Sequence, residues 1–67
     1  MTASEYIAAL DALCLSQTGA GEFFGVHRIT AHRWAETGPP EPVAKLLRLM
    51  LALQFSVEYV ERVTREA

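Results

Sequence analysis

The sequence predicts an all-α domain, a compact bundle of four to five helices. Apolar residues recur at three- and four-residue spacing in nearly every segment, glycines and prolines fall between those segments, and no run alternates with period two for long enough to make a strand. The chain has 67 residues, which is room for one core and not for two, so residues 1–67 read as a single domain. With 51% apolar and 21% charged residues, its composition is that of a globular protein. A domain near this size buries only about 60% of its unfolded-chain surface. Tight helix packing or association of two subunits is expected to make up the shortfall.

The first helix is expected over residues 3–13. Thr2 and Glu5 have the spacing of a capping box, and Ile7, Leu10 and either Leu13 or Cys14 form the stripe behind it, with Cys14 on the inner face. Ser16 can cap a second, short helix over 17–24, which Gly25 ends because glycine readily takes the left-handed conformation of a tight turn. A third helix is expected over 27–36. It stops at the segment 37–42, where Pro39, Pro40 and Pro42 bar helix continuation and set an extended connector. From Pro42, a favourable first-turn residue, Val43, Leu46, Leu47, Met50 and Leu53 form a fourth stripe. Ser56 can cap a fifth helix carrying Val57, Tyr59, Val60 and Val63. The pattern also permits one long helix through 54–56, and a break there is the reading adopted.

Six basic against eight acidic side chains leave a net charge of −2, where a nucleic-acid binder would more comfortably be basic. The distribution changes that picture. Residues 1–26 carry Glu5, Asp11 and Glu22 and no base, whereas 27–48 carry Arg28, Arg33, Lys45 and Arg48 against Glu36 and Glu41. Residues 49–67 hold Glu58, Glu61 and Glu66 against Arg62 and Arg65. All the positive balance therefore lies in the third helix and the start of the fourth. One cysteine, Cys14, can make no internal disulfide, which with the absence of a signal-like or membrane-length apolar run leads to the expectation of a soluble, cytoplasmic protein.

The segment 17–36 carries the functional reading. Ala20 and Phe24 can face the interior, Gly21 leaves room for the following helix to approach, Gly25 makes the turn, Val26 plugs the corner, and Trp34 is expected to be the third helix's main core anchor. With Ser16-Gln17 opening the first helix, Gly25-Val26 at the turn and Arg33-Trp34 late in the second, the segment resembles the helix-turn-helix of the phage-repressor and Cro-like family. Pro42 to Met50 is similar to the helix that follows the motif in short phage-type regulators. The resemblance implies a lambda-repressor-like fold and a DNA-binding regulator of phage or mobile-element type. Two departures stand out. Gly19 and Gly21 each cost a short helix up to about 1 kcal/mol relative to alanine, and Ala31 is smaller than the branched residue the family packs there, a volume that Phe23 is placed to fill.

A helical wheel of about 100° per residue puts Trp34 and Ala31 on one side of the third helix. The opposite arc holds Arg28, Ile29, His32, Arg33 and Glu36. Arg can bond guanine O6 and N7 together, and an exposed isoleucine can touch a thymine methyl. Arg28, Ile29, His32 and Arg33 are thus the candidate base contacts. On the wheel alone a solvated helix face is the stronger reading, and only the coincidence with the glycine-turn motif reverses it in favour of base reading. Gln17, His27, Thr30 and Lys45 are the candidate backbone contacts. Each also has a plain structural role open to it: first-turn residue for Gln17, helix cap for His27, a hydroxyl bonded within its helix for Thr30, and a solvated charge for Lys45, as for Arg48 beside it.

Helix-turn-helix dimers place their recognition helices roughly 34 Å apart on paired half-sites, so some surface must set that spacing. Phe55, Val57, Tyr59, Val60 and Val63, within 54–67, are the candidate homodimer interface, and the alternative is that this helix folds back to complete the monomer core. Cys14, His27 and His32 lack metal-ligand spacing, Gly19 and Gly21 lack the spacing and lysine of a phosphate loop, and no nucleophile has a base beside it. No cofactor, metal or catalytic activity is expected. The reading is a repressor that binds an inverted-repeat operator as a homodimer. The competing reading is a protein-interaction module, an antitoxin or adaptor, on the same fold.

Overall fold

Five helices follow one another in the computed structural model, which describes residues 1–66: α1 (Ala3–Ala12), α2 (Gln17–Phe24), α3 (Arg28–Thr37), α4 (Glu41–Leu53) and α5 (Val57–Glu66). Ala67, the last residue of the expected interface segment, lies outside the described residues. Among those described there is no strand, and no helix is long and apolar enough to cross a membrane.

The capping box forms. Thr2 Oγ1 accepts from the Glu5 amide at 3.1 Å, and the Thr2 amide donates to Glu5 Oε1 at 2.8 Å. Accepting from the Thr2 amide, and from its side chain, favours the ionised carboxylate, so the Glu5 pKa is lowered, with a smaller contribution from the positive charges of the N-terminus and Arg48. The stripe that α1 buries differs from the expected one. Tyr6, Ala9 and Leu10 are buried, whereas Ile7 is 46% exposed. Tyr6 can go inside because its hydroxyl finds an acceptor there, the carbonyl of Ala31. The helix also stops one residue early, at Ala12, and Cys14 turns out to be exposed with φ of 56°, not on the inner face. Its left-handed backbone swings the chain away from the helix so that Leu15 can return to pack on the core.

Ser16 caps α2 by accepting from the Gly19 amide at 2.9 Å. Gly25, at φ 71°, ends it in the left-handed conformation, and the Val26 amide closes onto the Gly21 carbonyl at 2.9 Å. His27 caps α3 and is not part of it, and the helix runs one residue past its expected end to Thr37. There Gly38, at φ 96°, donates its amide to the Trp34 carbonyl. The connector then packs on the chain start: a Cβ at Gly38 would meet the Met1 carbonyl at 2.9 Å.

Pro42 lies in the first turn of α4, which buries Ala44, Leu47 and Met50. Leu53, expected on its inner stripe, is 55% exposed because the chain leaves the helix immediately after it, at left-handed Gln54. The Phe55 amide returns to the Met50 carbonyl, and Ser56 Oγ accepts from the Tyr59 amide at 3.0 Å, so α5 is a separate helix with its own cap.

The core is small. Tyr6, Ala9, Leu10, Ala20, Ala31 and Leu47 are buried at its centre, with Leu13, Leu15, Phe24, Val26, Trp34 and Val43 half-buried around them. Trp34 is a flank of this core, not its centre: its ring packs edge-on against Tyr6 and Phe24, with centroids 6.2 and 5.8 Å away. Phe23, the candidate for the volume left by Ala31, lies half-buried against Phe24, centroids 4.9 Å apart. None of the described side chains of α5 is buried.

Candidate nucleic-acid interface

Steric room between α2 and α3 decides which face of α3 is turned outward. Gly21 is buried, and a Cβ there would lie 3.1 Å from the Val26 carbonyl oxygen and 3.2 Å from Arg28 Cα. Both are backbone atoms, one in the turn and one at the first residue of α3, so the close approach of the helices depends on the missing side chain. Ala31 of α3 is wholly buried in the core. With Ala31 and Trp34 turned inward, the opposite face is left to solvent. Arg28, Ile29, His32, Arg33 and Glu36 are all exposed, Ile29 by 60%. The four expected base-contact residues therefore share one open face.

Arg28 and Arg33 make no ion pair among the described residues. Both guanidinium groups keep their full set of donors for an external acceptor. The exposed Ile29 beside them forgoes the gain of burial within the monomer.

The expected backbone contacts are placed differently from one another. His27 takes the capping role: its Nδ1 accepts from the Ile29 amide at 3.1 Å. Its Nε2 then carries the proton and remains a donor at the start of α3. Gln17 opens α2, half-buried, and its side-chain oxygen meets His32 Nδ1 across the two helices. Thr30 is half-buried on the flank of α3. Lys45 stands exposed on α4 with no hydrogen bond or ion pair among the described residues.

One contact here lay outside the sequence reading. His32 is held from two sides, by Gln17 at Nδ1 and by Glu36 Oε1, 3.7 Å from Nε2. The Glu36 partner is visible as an i, i+4 spacing. The Gln17 partner is not, since fifteen residues and a turn separate the two and only the packing of α2 on α3 brings them together.

The expected interface residues of α5 lie at varied depth. Phe55, Val57 and Val60 are half-buried, while Tyr59 is 47% and Val63 48% exposed. Phe55 and Tyr59 stack with centroids 5.1 Å apart. On α4, Leu49, Leu51 and Leu53 are also exposed. Among the described residues no three His, Cys, Asp or Glu side chains cluster as a metal site would require. An open groove of about 310 Å³ between the end of α1 and the α4–α5 turn is lined by Cys14, Leu13, Met50, Leu51 and Phe55, with neither histidine in it.

No family model, curated protein or solved structure matches the chain.

Proposed function

We propose that this protein is a sequence-specific DNA-binding transcriptional regulator, a repressor that docks α3 in the major groove and binds an inverted-repeat operator as a homodimer. The observation that carries the reading is the outward face of α3. Two unpaired arginines, an exposed isoleucine and a histidine stand together on a helix that approaches α2 closely at Gly21 and buries Ala31 in the core. This face supports a helix-turn-helix reading, in which the second helix presents side chains to base edges while the first lies across the backbone. It agrees with the resemblance to the phage-repressor and Cro-like family. Arg28, Ile29, His32 and Arg33 read bases, with His27, Gln17, Thr30 and Lys45 toward the phosphates.

An acidic remainder weakens long-range attraction to DNA, so affinity is built from two subunits on paired half-sites. The exposed Tyr59 and Val63 of α5 supply the two-fold contact.

The same uncovered apolar side chains favour a second reading, a protein-interaction module that holds a different partner on α5. Selection from random duplexes at low and at moderate salt separates the two. Salt-sensitive enrichment of an inverted repeat is expected of the regulator. No enrichment at either salt removes that reading and leaves the interaction module.

A further inference from the structure

We propose that His27 is a positioning residue for base recognition: it holds the start of α3 in place only while its Nδ1 carries no proton, so acidification loosens the reading of bases by Arg28 and Ile29. The loosened reading rests on the DNA-binding role of α3, whereas the cap itself does not.

The state of that nitrogen follows from its partner. A backbone amide can only donate, and the Ile29 amide directs its hydrogen at His27 Nδ1 across 3.1 Å. Nδ1 must therefore offer a lone pair. The imidazolium has none to offer, since both of its ring nitrogens donate. Its charge would also stand at the positive end of the α3 dipole. A second proton on the ring thus removes the bond and leaves a first-turn amide without its side-chain acceptor.

The other side-chain caps in this fold accept through hydroxyls, which do not titrate. Thr2 serves α1, Ser16 serves α2 and Ser56 serves α5, while α4 starts at Pro40 with no side-chain cap. The reading helix starts on an imidazole, a residue outside the set that N-caps favour. No carboxylate stands by to hold the imidazolium in place. Among the elements around it, α2 carries Glu22, α1 carries Glu5, Tyr6 and Asp11, and α4 carries Glu41, Lys45 and Arg48. None of the described carboxylates pairs with His27. On α3 itself the adjacent charge is Arg28, Arg33 follows two turns later, and Glu36 is engaged with His32.

Arg28 and Ile29 are the first two residues of α3, the end of a recognition helix that brings side chains to base edges. Protonation also adds a charge that draws phosphate, so total affinity can hold while discrimination among bases falls. Discrimination is therefore the quantity that reports the cap.

Wild type, His27→Asn and His27→Ala separate cap from recognition, because asparagine is a preferred N-cap that does not titrate and alanine cannot cap. Thermal unfolding at pH 8 and pH 5, on either side of the ordinary imidazole value of about 6.5, reads the cap in the free protein. At pH 8 the wild type should melt roughly 4–8 °C above His27→Ala. That margin should vanish at pH 5, and His27→Asn should keep its own margin over His27→Ala at both values. Titrations of a selected operator and its single-base variants then read recognition. At the base pairs whose preference is lost in Arg28→Ala and Ile29→Ala, wild-type discrimination should fall about fivefold from pH 8 to pH 5, and that of His27→Asn should hold. A wild-type margin over His27→Ala that is missing at pH 8, or equally large at pH 5, overturns the proposal whether or not DNA is bound. The expected melting pattern with pH-independent discrimination overturns the positioning role and leaves the DNA-reading role of α3 standing. Absence of any enriched duplex removes that reading and the positioning role with it, while the melting data still decide the cap.

Discussion

The hydroxyl of Tyr6, on α1, reaches the main-chain carbonyl of Ala31, on α3, at 3.4 Å, and both residues are wholly shut off from solvent. Through this pair the N-terminal helix holds the buried side of the helix whose other side is open. Tyr6→Phe keeps the ring and removes the bond, and a loss of about 0.5–1.5 kcal/mol is expected in urea denaturation. Burial raises the Tyr6 pKa above the ordinary phenol value. The folded state thus resists an ionisation that the unfolded chain undergoes near pH 10, and the associated stability is complete below that pH and lost as pH rises through the folded value. Alkaline titration of stability should be shallower in Tyr6→Phe than in the wild type. Equal slopes would show that Tyr6 is not the group responsible.

Gly21 and Gly25 are expected to fail for different reasons. At Gly21 alanine gains up to about 1 kcal/mol of helix propensity but presses on unyielding backbone, where overpacking costs about 1–3 kcal/mol. A net loss of stability with amide shift changes at Val26 and Arg28 is the expected outcome. At Gly25 a Cβ meets nothing within 4 Å, and the cost comes from φ of 71° alone, about 1–2 kcal/mol. A stabilised Gly21→Ala would mean that α2 and α3 can separate without penalty.

Arg33→Ala should weaken binding to a selected operator by about 1–3 kcal/mol and relax the preference at one base pair. Because Arg33 is exposed and unpaired, its melting temperature should stay at the wild-type value. Anisotropy titrations on the operator and its single-base variants measure both effects. Uniform weakening across all variants would reassign Arg33 to the phosphates.

Val63→Glu tests the proposed two-fold contact. The position is 48% exposed, so the substitution should leave monomer stability within about 0.5 kcal/mol while shifting sedimentation equilibrium toward the monomer. Unchanged self-association, or a wild type that is already monomeric at micromolar concentration, would remove α5 from the interface.

The Glu5 carboxylate, held down by the capping bonds, adds stability that is present above the unfolded carboxylate range and is lost as pH falls through its lowered folded value. Glu5→Gln keeps the bond geometry and should flatten the acid limb of the stability profile. Thr2→Ala should cost about 0.5–2 kcal/mol at neutral pH. An acid limb unchanged in Glu5→Gln would place the pH dependence elsewhere.

Local signals carried the five helices into view. Ser16, Gly25, Ser56 and the proline connector act within a few residues of themselves, so their spacing alone marks where helices start and stop. The inward side of α1 was less legible. Ile7 and Leu10 make a plausible stripe three apart, and preferring Tyr6 and Ala9 requires knowing that a carbonyl on α3 awaits the phenol. Cys14 was misplaced for a related reason, because the helix unwinds one residue sooner than its apolar spacing implies. The outward face of α3 could be read from a wheel because Ala31 and Trp34 mark its inside. The grip of Gln17 on His32 could not, since it exists only once α2 and α3 have packed.

That none of the described side chains of α5 is buried has a consequence for how such a chain can change. Among the described residues the buried side chains all belong to α1 to α4, and α5 follows them through one capped turn at Gln54–Ser56. Substitutions along its apolar side leave the core intact, so partnership can drift, or be redesigned, on a timetable separate from that of the scaffold. The last ten described residues are in that sense an exchangeable coupling on a fixed body.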